Sequence, residues 1–379
     1  MIYLDNAATS FPKPEPVYQA LDRFARQSLA NPGRAGHKMA LAAERALDDC
    51  RHLLNQLFHG EGPERFIFTL NCTDGLNMAF KGVLTEDDHV ITTDLEHNSV
   101  SRPLRALELA GRITLTRIKA DGGGTINPDD LRKAITPRTR LIALTHASNV
   151  LGAVQPIAEV GRIARERNLL FLVDAAQTAG VVPIDVQSSF IDLLAFPGHK
   201  SLLGPTGTGA LYVGPRARVG AWREGGTGGD SSSETQPREF PHFLEGGTPN
   251  VLGVAGLAAG IKYVQERGLE KIHEHEMELT ERLWRRLDEI GGVQVFGHRE
   301  MKKRVGTLSF RSETLLAAEL GGILDQAFDI AVRPGLHCAP YIHRAIGTFP
   351  DGTVRVSPGP FNTPEDIDQL ARALAEIMR

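Results

Sequence analysis

From about residue 65 to residue 213, short apolar runs alternate with stretches of helical spacing. The runs lie at 66–68, 89–91, 113–115, 141–144, 169–173, 193–196 and 210–213. Each is compact and nearly free of polar residues, as a strand covered on both faces requires. Between them, stretches such as 157–167 repeat apolar side chains at intervals of three and four, the signature of a helix with one buried face. The alternation predicts an α/β fold: a mostly parallel central sheet flanked by helices on both sides. Upstream, the stretch 39–57 has the same helical spacing, with Met39, Ala43, Leu47, Leu54 and Leu57 on one face and Cys50 among them.

The pattern changes after residue 225. Residues 225–237 are glycine, serine and polar throughout, too poor in apolar side chains to pack a core, and are expected to form a mobile loop. A long helical pattern over 254–290 follows, then strand candidates at 305–310, 329–333 and 353–357. A closing helix is announced by Thr363, by Pro364 at its first position and by Asp366 three residues on, a capping-box arrangement. The expected organisation is a large domain over 14–250 and a smaller α+β domain made of 1–13 and 251–379. No internal repeat is present.

Composition narrows the range of partners. With 379 residues, 41% hydrophobic and 23% charged, the chain has ample material for a core, and its net charge of −4 with no lysine or arginine block points away from nucleic acid and anionic membranes. The opening Met-Ile-Tyr-Leu-Asp is not a signal peptide, and no apolar run approaches the ~20 residues needed to span a bilayer. A cytoplasmic location is expected. Three widely separated cysteines, Cys50, Cys72 and Cys338, form neither a disulfide framework nor a four-ligand zinc site.

Candidate chemistry gathers at the ends of the predicted strands. The run 169–173 stops at Asp174, and the run 193–196 delivers Gly198-His199-Lys200 to the same edge, where open α/β sheets place their ligands. A carboxylate that can hold a pyridine nitrogen protonated, beside an amine that can form a Schiff base, is what pyridoxal phosphate (PLP) asks of its protein. Asn71-Cys72-Thr73-Asp74-Gly75 follows a strand and opens a helix, so its amides and the Thr73 hydroxyl can cradle a phosphate. His97 follows another strand and can stack on a pyridine ring. The glycines of Gly204-Pro-Thr-Gly-Thr-Gly209 precede a strand rather than a helix and are not a nucleotide-binding signature. His273 and His275 are two apart on a helix, off a common face, and do not form a metal site. Of the three thiols, Cys338 sits in a Gly- and Pro-punctuated loop near Arg333 and is the nucleophile candidate; Cys50 fits inert packing and Cys72 a small helix-start residue.

These motifs together resemble the SufS-like cysteine desulfurases, PLP-dependent enzymes of fold type I in the class V aminotransferase superfamily. The resemblance spans essentially the whole chain. It rests on Tyr3-Leu-Asp-Asn-Ala-Ala-Thr9, Glu96-His97, Ser148-Asn-Val-Leu-Gly152, Val173-Asp-Ala-Ala-Gln177, Gly198-His-Lys200, Gly204 to Gly209, Gly247-Thr-Pro-Asn250, Arg333-Pro-Gly-Leu-His-Cys338 and Arg355. It implies that Lys200 holds PLP through a Schiff base, Asp174 pairs with the ring nitrogen, Gln177 meets the ring hydroxyl and His97 stacks on the ring. Cys72, Thr73 and His199 would bind the phosphate side, with Thr248 arriving from the partner subunit of a homodimer. Asn149, Arg355 and Ala7 would hold the substrate, L-cysteine, which leaves as L-alanine while Cys338 keeps the sulfur as a persulfide. A sulfur-acceptor protein and a place in iron–sulfur cluster assembly are implied in turn. The alternatives are a selenocysteine lyase, another PLP-dependent C–S lyase or an aminotransferase, with a catalytically weak PLP-binding scaffold as a remote one; a transaminase has no use for a loop thiol. Two departures stand out. Pro197 replaces the usual Ser or Thr before Gly-His-Lys, and Leu336-His337-Cys338 replaces the usual His-His-Cys.

Overall fold

The computed structural model describes residues 1–33, 36–227 and 232–378. Its centre is a seven-stranded sheet in the order Phe66–Thr69, Gly209–Val213, Leu193–Pro197, Leu170–Asp174, Thr139–Thr145, Asp88–Thr93, Ile113–Ile118. Only Gly209–Val213 runs against its neighbours. Every apolar run of the sequence from 66 to 213 is therefore a strand, and the central ones are covered on both faces. One face packs against helices Lys38–Phe58, Ile157–Glu166 and Val251–Arg267, the other against Cys72–Val83 and Asn98–Leu109. Within Lys38–Phe58 the buried face begins at Ala40 and continues through Ala43, Leu47, Cys50 and Leu54; Met39 lies off it and is 45% exposed.

A second, smaller sheet is antiparallel, ordered Arg333–Gly335, Thr353–Val356, Leu308–Ser312, Val293–Phe296. Helices Leu269–Asp288, Ala317–Phe328 and Pro364–Ile377 enclose its core with Leu308, Phe310, Val354 and Val356. Thr363 caps the last of these as expected, its side chain and that of Asp366 satisfying each other's backbone N–H. The long pattern over 254–290 is two helices, Val251–Arg267 and Leu269–Asp288, parted at Gly268, whose φ of 86° no helix accommodates. The expected division at 250/251 falls at the N-cap of the first, whose Val251, Val254, Leu257 and Ile261 pack into the large sheet's core. The strand expected at 305–310 lies at Leu308–Ser312, and the one at 329–333 is two short strands, Ile330–Ala331 and Arg333–Gly335. Of the loop 225–237, residues 228–231 lie outside the described residues; its flanks are tied by Gln236, which accepts from the Gly225 N–H at 3.2 Å and donates to the His242 carbonyl at 2.9 Å.

The amino terminus joins the two sheets. Ile2–Tyr3 pairs in parallel with Ile330–Ala331, Asp5 bridges to Ser357, and residues 9–13 then cross to the Lys200 loop of the large sheet. Among the described residues no helix is long and apolar enough to cross a membrane.

Candidate active site

Six strands of the large sheet run the same way, so their carboxyl ends form one edge, and the loops leaving that edge line a cavity of about 200 Å³. Asp174 ends its strand, and the neighbouring strand, paired Asp174 to Ala195, leads through Pro197 to Lys200. Asp174 is 2% exposed; one carboxylate oxygen accepts from the Ala176 N–H at 2.9 Å and from the Cys72 thiol at 3.4 Å. Burial holds its pKa above the usual carboxylate range in spite of Lys200. Lys200 lines the cavity, and burial brings its amine down to about 8, a loss that Asp174 offsets only in part.

The lysine's loop is clamped from behind. The His199 carbonyl accepts from the Ser10 N–H at 3.1 Å, from the Thr9 hydroxyl at 3.1 Å and from the Lys13 amine at 2.8 Å, and the Ser10 hydroxyl donates to the Lys200 carbonyl at 2.9 Å. Lys13, a residue that sequence reasoning missed, has no carboxylate partner among the described residues, and burial lowers its pKa to about 8. The His199 ring reaches the cavity with its Nδ1 buried and without a partner.

His97 is the N-cap of helix Asn98–Leu109. Its Nδ1 accepts from the Ser99 N–H at 3.0 Å, so a neutral ring carries its proton on Nε2. Burial, then the charges of Lys200, Arg333, Arg355 and Arg102, push its pKa to about 3. The Ser99 hydroxyl lies 2.8 Å from the same nitrogen and 2.7 Å from the Thr73 hydroxyl. Thr73 itself is in the first turn of Cys72–Val83, capped by Asn71, which accepts from the Asp74 N–H at 2.9 Å. Ser99 is a second residue that sequence reasoning missed, although it lies two positions beyond His97. Behind this wall Glu96 is 1% exposed and pushed up to about 8 by burial, so it is mostly protonated at neutral pH.

The opposite wall comes from the small sheet. Arg333 and Arg355 stand directly opposite each other on antiparallel strands, and both line the cavity. Like charges so placed repel, and an anion between them relieves the repulsion. Arg355 is 1% exposed: it donates to the Asn149 carbonyl at 3.1 Å and to Asp5 at 2.7 Å, while its Nε is buried without a partner. Asp5 is a third missed residue, inside the quoted motif Tyr3 to Thr9. Asn149 spends one side-chain N–H on the His337 carbonyl at 2.7 Å. Gln177 donates to the Ala7 carbonyl at 3.2 Å, bringing both to the cavity wall.

Cys338 stands next to this wall rather than in it. Its half-buried thiol receives an N–H of Arg333 at 3.7 Å, and its carbonyl accepts from the Asn98 N–H at 2.6 Å. His337 and Cys338 both have left-handed backbones, φ 50° and 56°. The other thiols are poor nucleophiles: burial pushes Cys50 up to about 12 and Cys72 well above the ordinary thiol range. Thr248 is exposed and lies outside the cavity, in a separate cleft with Gly247, Pro249 and Asn250. His273 and His275 bond different carbonyls, those of Arg304 at 2.8 Å and Asn362 at 2.9 Å.

An α/β sheet whose parallel strands converge on a lysine and a buried acid, with an arginine pair facing them from the smaller sheet, is the framework of an enzyme site. The family model of the class-V aminotransferases matches residues 2–370, and the chain belongs to that family. Among its relatives, a probable cysteine desulfurase of Methanothermobacter thermautotrophicus is 36% identical, with 99% of this chain and 94% of the relative covered. A cysteine desulfurase of Salmonella dublin is 32% identical, with 100% of this chain and 94% of the relative covered. Of solved structures, the apo cysteine desulfurase of Thermococcus onnurineus superposes with a TM-score of 0.94 at 34% identity, covering 100% of this chain and 94% of that one. A cysteine desulfurase of Escherichia coli in an S-sulfonic acid form gives 0.89 at 28% identity, covering 100% and 95%. The fold is that of the PLP-dependent enzymes of fold type I.

Proposed function

We infer that this protein is a PLP-dependent cysteine desulfurase, which converts L-cysteine to L-alanine and holds the sulfur as a persulfide on Cys338. The observation that carries the reading is the Lys200–Asp174 pair on adjacent strand ends, faced by Arg333 and Arg355 with the Cys338 thiol against Arg333. The residues fit the cofactor. Asp174 offers a buried carboxylate for the ring nitrogen, Lys200 an amine for the aldehyde, and Thr73, Ser99 and the partnerless Nδ1 of His199 offer polar atoms for the phosphate. When bound, PLP supplies the electron sink for the substrate's Cα.

The chain's own groups supply the rest. Arg355 receives the substrate carboxylate, its unpartnered Nε being one of the N–H donors available. Lys200 takes the α-proton and returns it; with its amine near 8, about a tenth is free base at pH 7, a far larger share than an ordinary lysine has. His97 stays uncharged and covers the ring from the side of helix Asn98–Leu109. The Cys338 thiolate attacks the substrate sulfur; the new S–S bond forms as the Cβ–S bond breaks, and that electron pair stays with carbon, which ends as the methyl group of alanine. Thr248, exposed and away from its own chain's cavity, serves the phosphate of a second copy in a homodimer. A sulfur-acceptor protein of iron–sulfur cluster assembly then takes the persulfide sulfur.

The test is a product assay with L-cysteine, scoring alanine, pyruvate and sulfide, with L-selenocysteine in parallel. Alanine in step with transferred sulfur is expected, and Cys338→Ser should lower cysteine turnover by about 10²–10⁴-fold, as a lost catalytic group does. Full cysteine turnover by Cys338→Ser would refute the persulfide step. Pyruvate in place of alanine would identify an eliminating lyase instead.

A further inference from the structure

Four polar groups behind the thiol are linked in one direction. The His337 Nε2 lies 2.9 Å from the Arg333 carbonyl, which can only accept, so Nε2 carries the proton and Nδ1 is the ring's acceptor. That Nδ1 lies 3.3 Å from Nε2 of His343, which must donate. His343 then accepts at Nδ1, and the Thr348 hydroxyl 2.7 Å away is its donor. The carbonyl of Arg333 therefore fixes both tautomers, and the chain runs Thr348 to His343 to His337 to Arg333.

His343 is fully buried on the short helix Pro340–Ala345, and His337 is 3% exposed, with the two rings 5.4 Å apart at 33°. Burial brings His343 down to about 4 and holds His337 well below the ordinary imidazole range, so both rings stay neutral at pH 7 and the direction of the chain is kept there. The front of the chain touches chemistry. Arg333 lines the cavity and donates to the Cys338 sulfur, and His337 is adjacent to Cys338 in a pair of left-handed residues. For residues other than glycine that conformation is unfavourable, and it persists only where surrounding contacts hold it.

We propose that His343, backed by Thr348, is a positioning residue for the Cys338 thiol, acting through His337 and Arg333 to hold the left-handed turn and keep the guanidinium against the sulfur. The proposal rests on Cys338 being the sulfur-accepting thiol, and its test separates the two. The readout is the rate at which iodoacetamide alkylates Cys338 at pH 7 in the holoenzyme, alongside kcat and KM for L-cysteine. His343→Phe keeps the ring's bulk and removes both bonds; it should slow alkylation about tenfold and lower kcat with KM little changed, the cost of a misplaced charge-assisted hydrogen bond. His343→Gln, which retains a donor where Nε2 stood, should recover most of the alkylation rate. Thr348→Val, nearly isosteric, removes the last donor and should slow alkylation measurably; it stands in should His343→Phe fail to fold. Wild-type alkylation in folded His343→Phe or in Thr348→Val, or failure of His343→Gln to recover the rate, would overturn the proposal and leave His343 as packing. Undiminished cysteine turnover by Cys338→Ser would instead remove the reading beneath it.

Discussion

At the scale of single residues, burial does most of the tuning. Lys200 and Asp174 attract one another, yet each has its charged form disfavoured by burial, and the amine arrives near 8. Only the neutral amine condenses with an aldehyde, so the rate at which apoprotein regains the visible absorption of bound PLP should climb from pH 7 to pH 9 and then level. A profile still rising steeply at pH 10 would mean an ordinary surface-like lysine. Sodium borohydride reduction of the holoenzyme should label Lys200 and no other lysine. Much of this was legible in the sequence, because the residues at issue end apolar runs and strand ends can be read from such runs. What escaped was side-chain commitment. Asn149 and Arg355 are named by motif, but that Asn149 already bonds the Cys338 loop and that Arg355 shares Asp5 follows only from the register of distant strands. Pro197 lines the cavity at the end of its strand, where it offers the phosphate neither hydroxyl nor N–H.

At the scale of elements, close approach matters more than propensity. Gly161 lies inside helix Ile157–Glu166, where alanine would favour the helix by up to ~1 kcal/mol. A Cβ there would stand 1.9 Å from the Ser189 carbonyl oxygen and 3.2 Å from the Phe171 ring. Backbone cannot yield as a side chain can, so the clash should win: Gly161→Ala is expected to destabilise the protein by about 1–3 kcal/mol, seen as a lower midpoint in urea. An unchanged or raised midpoint would show that the helix can slide outward. Elements were legible where hydrophobic spacing is strong and regular, as in the seven strands of the large sheet. They were misread where the spacing crosses a break. Apolar periodicity continues through Gly268, so two helices looked like one, and Val293–Phe296 has only four residues next to Gly291 and Gly292 to announce it. The helix Pro340–Ala345, which carries His343, is too short for any periodicity to show.

At the scale of the whole molecule, Glu276 is a charge the fold works against. It is 6% exposed, has no ion-pair partner among the described residues, and burial lifts its pKa from 4.5 to about 8. The folded state thus binds a proton that the unfolded chain has given up, a stabilising term complete below about pH 4.5 and lost as pH rises through 8. Glu276→Gln should therefore stabilise the protein more at pH 8 than at pH 5 in thermal melts. A gain independent of pH, or a loss at pH 8, would show that the carboxylate is satisfied as an anion. The parallel pairing of Ile2–Tyr3 with Ile330–Ala331 has a consequence in time. A ribosome adding roughly 5–20 residues per second would leave the first strand without its neighbour for tens of seconds, while the seven-stranded sheet can already be assembling. The clamp of residues 9–13 on the Lys200 loop offers that leading segment an earlier anchorage, so the pocket's floor can be laid before its arginine-bearing wall has been synthesised.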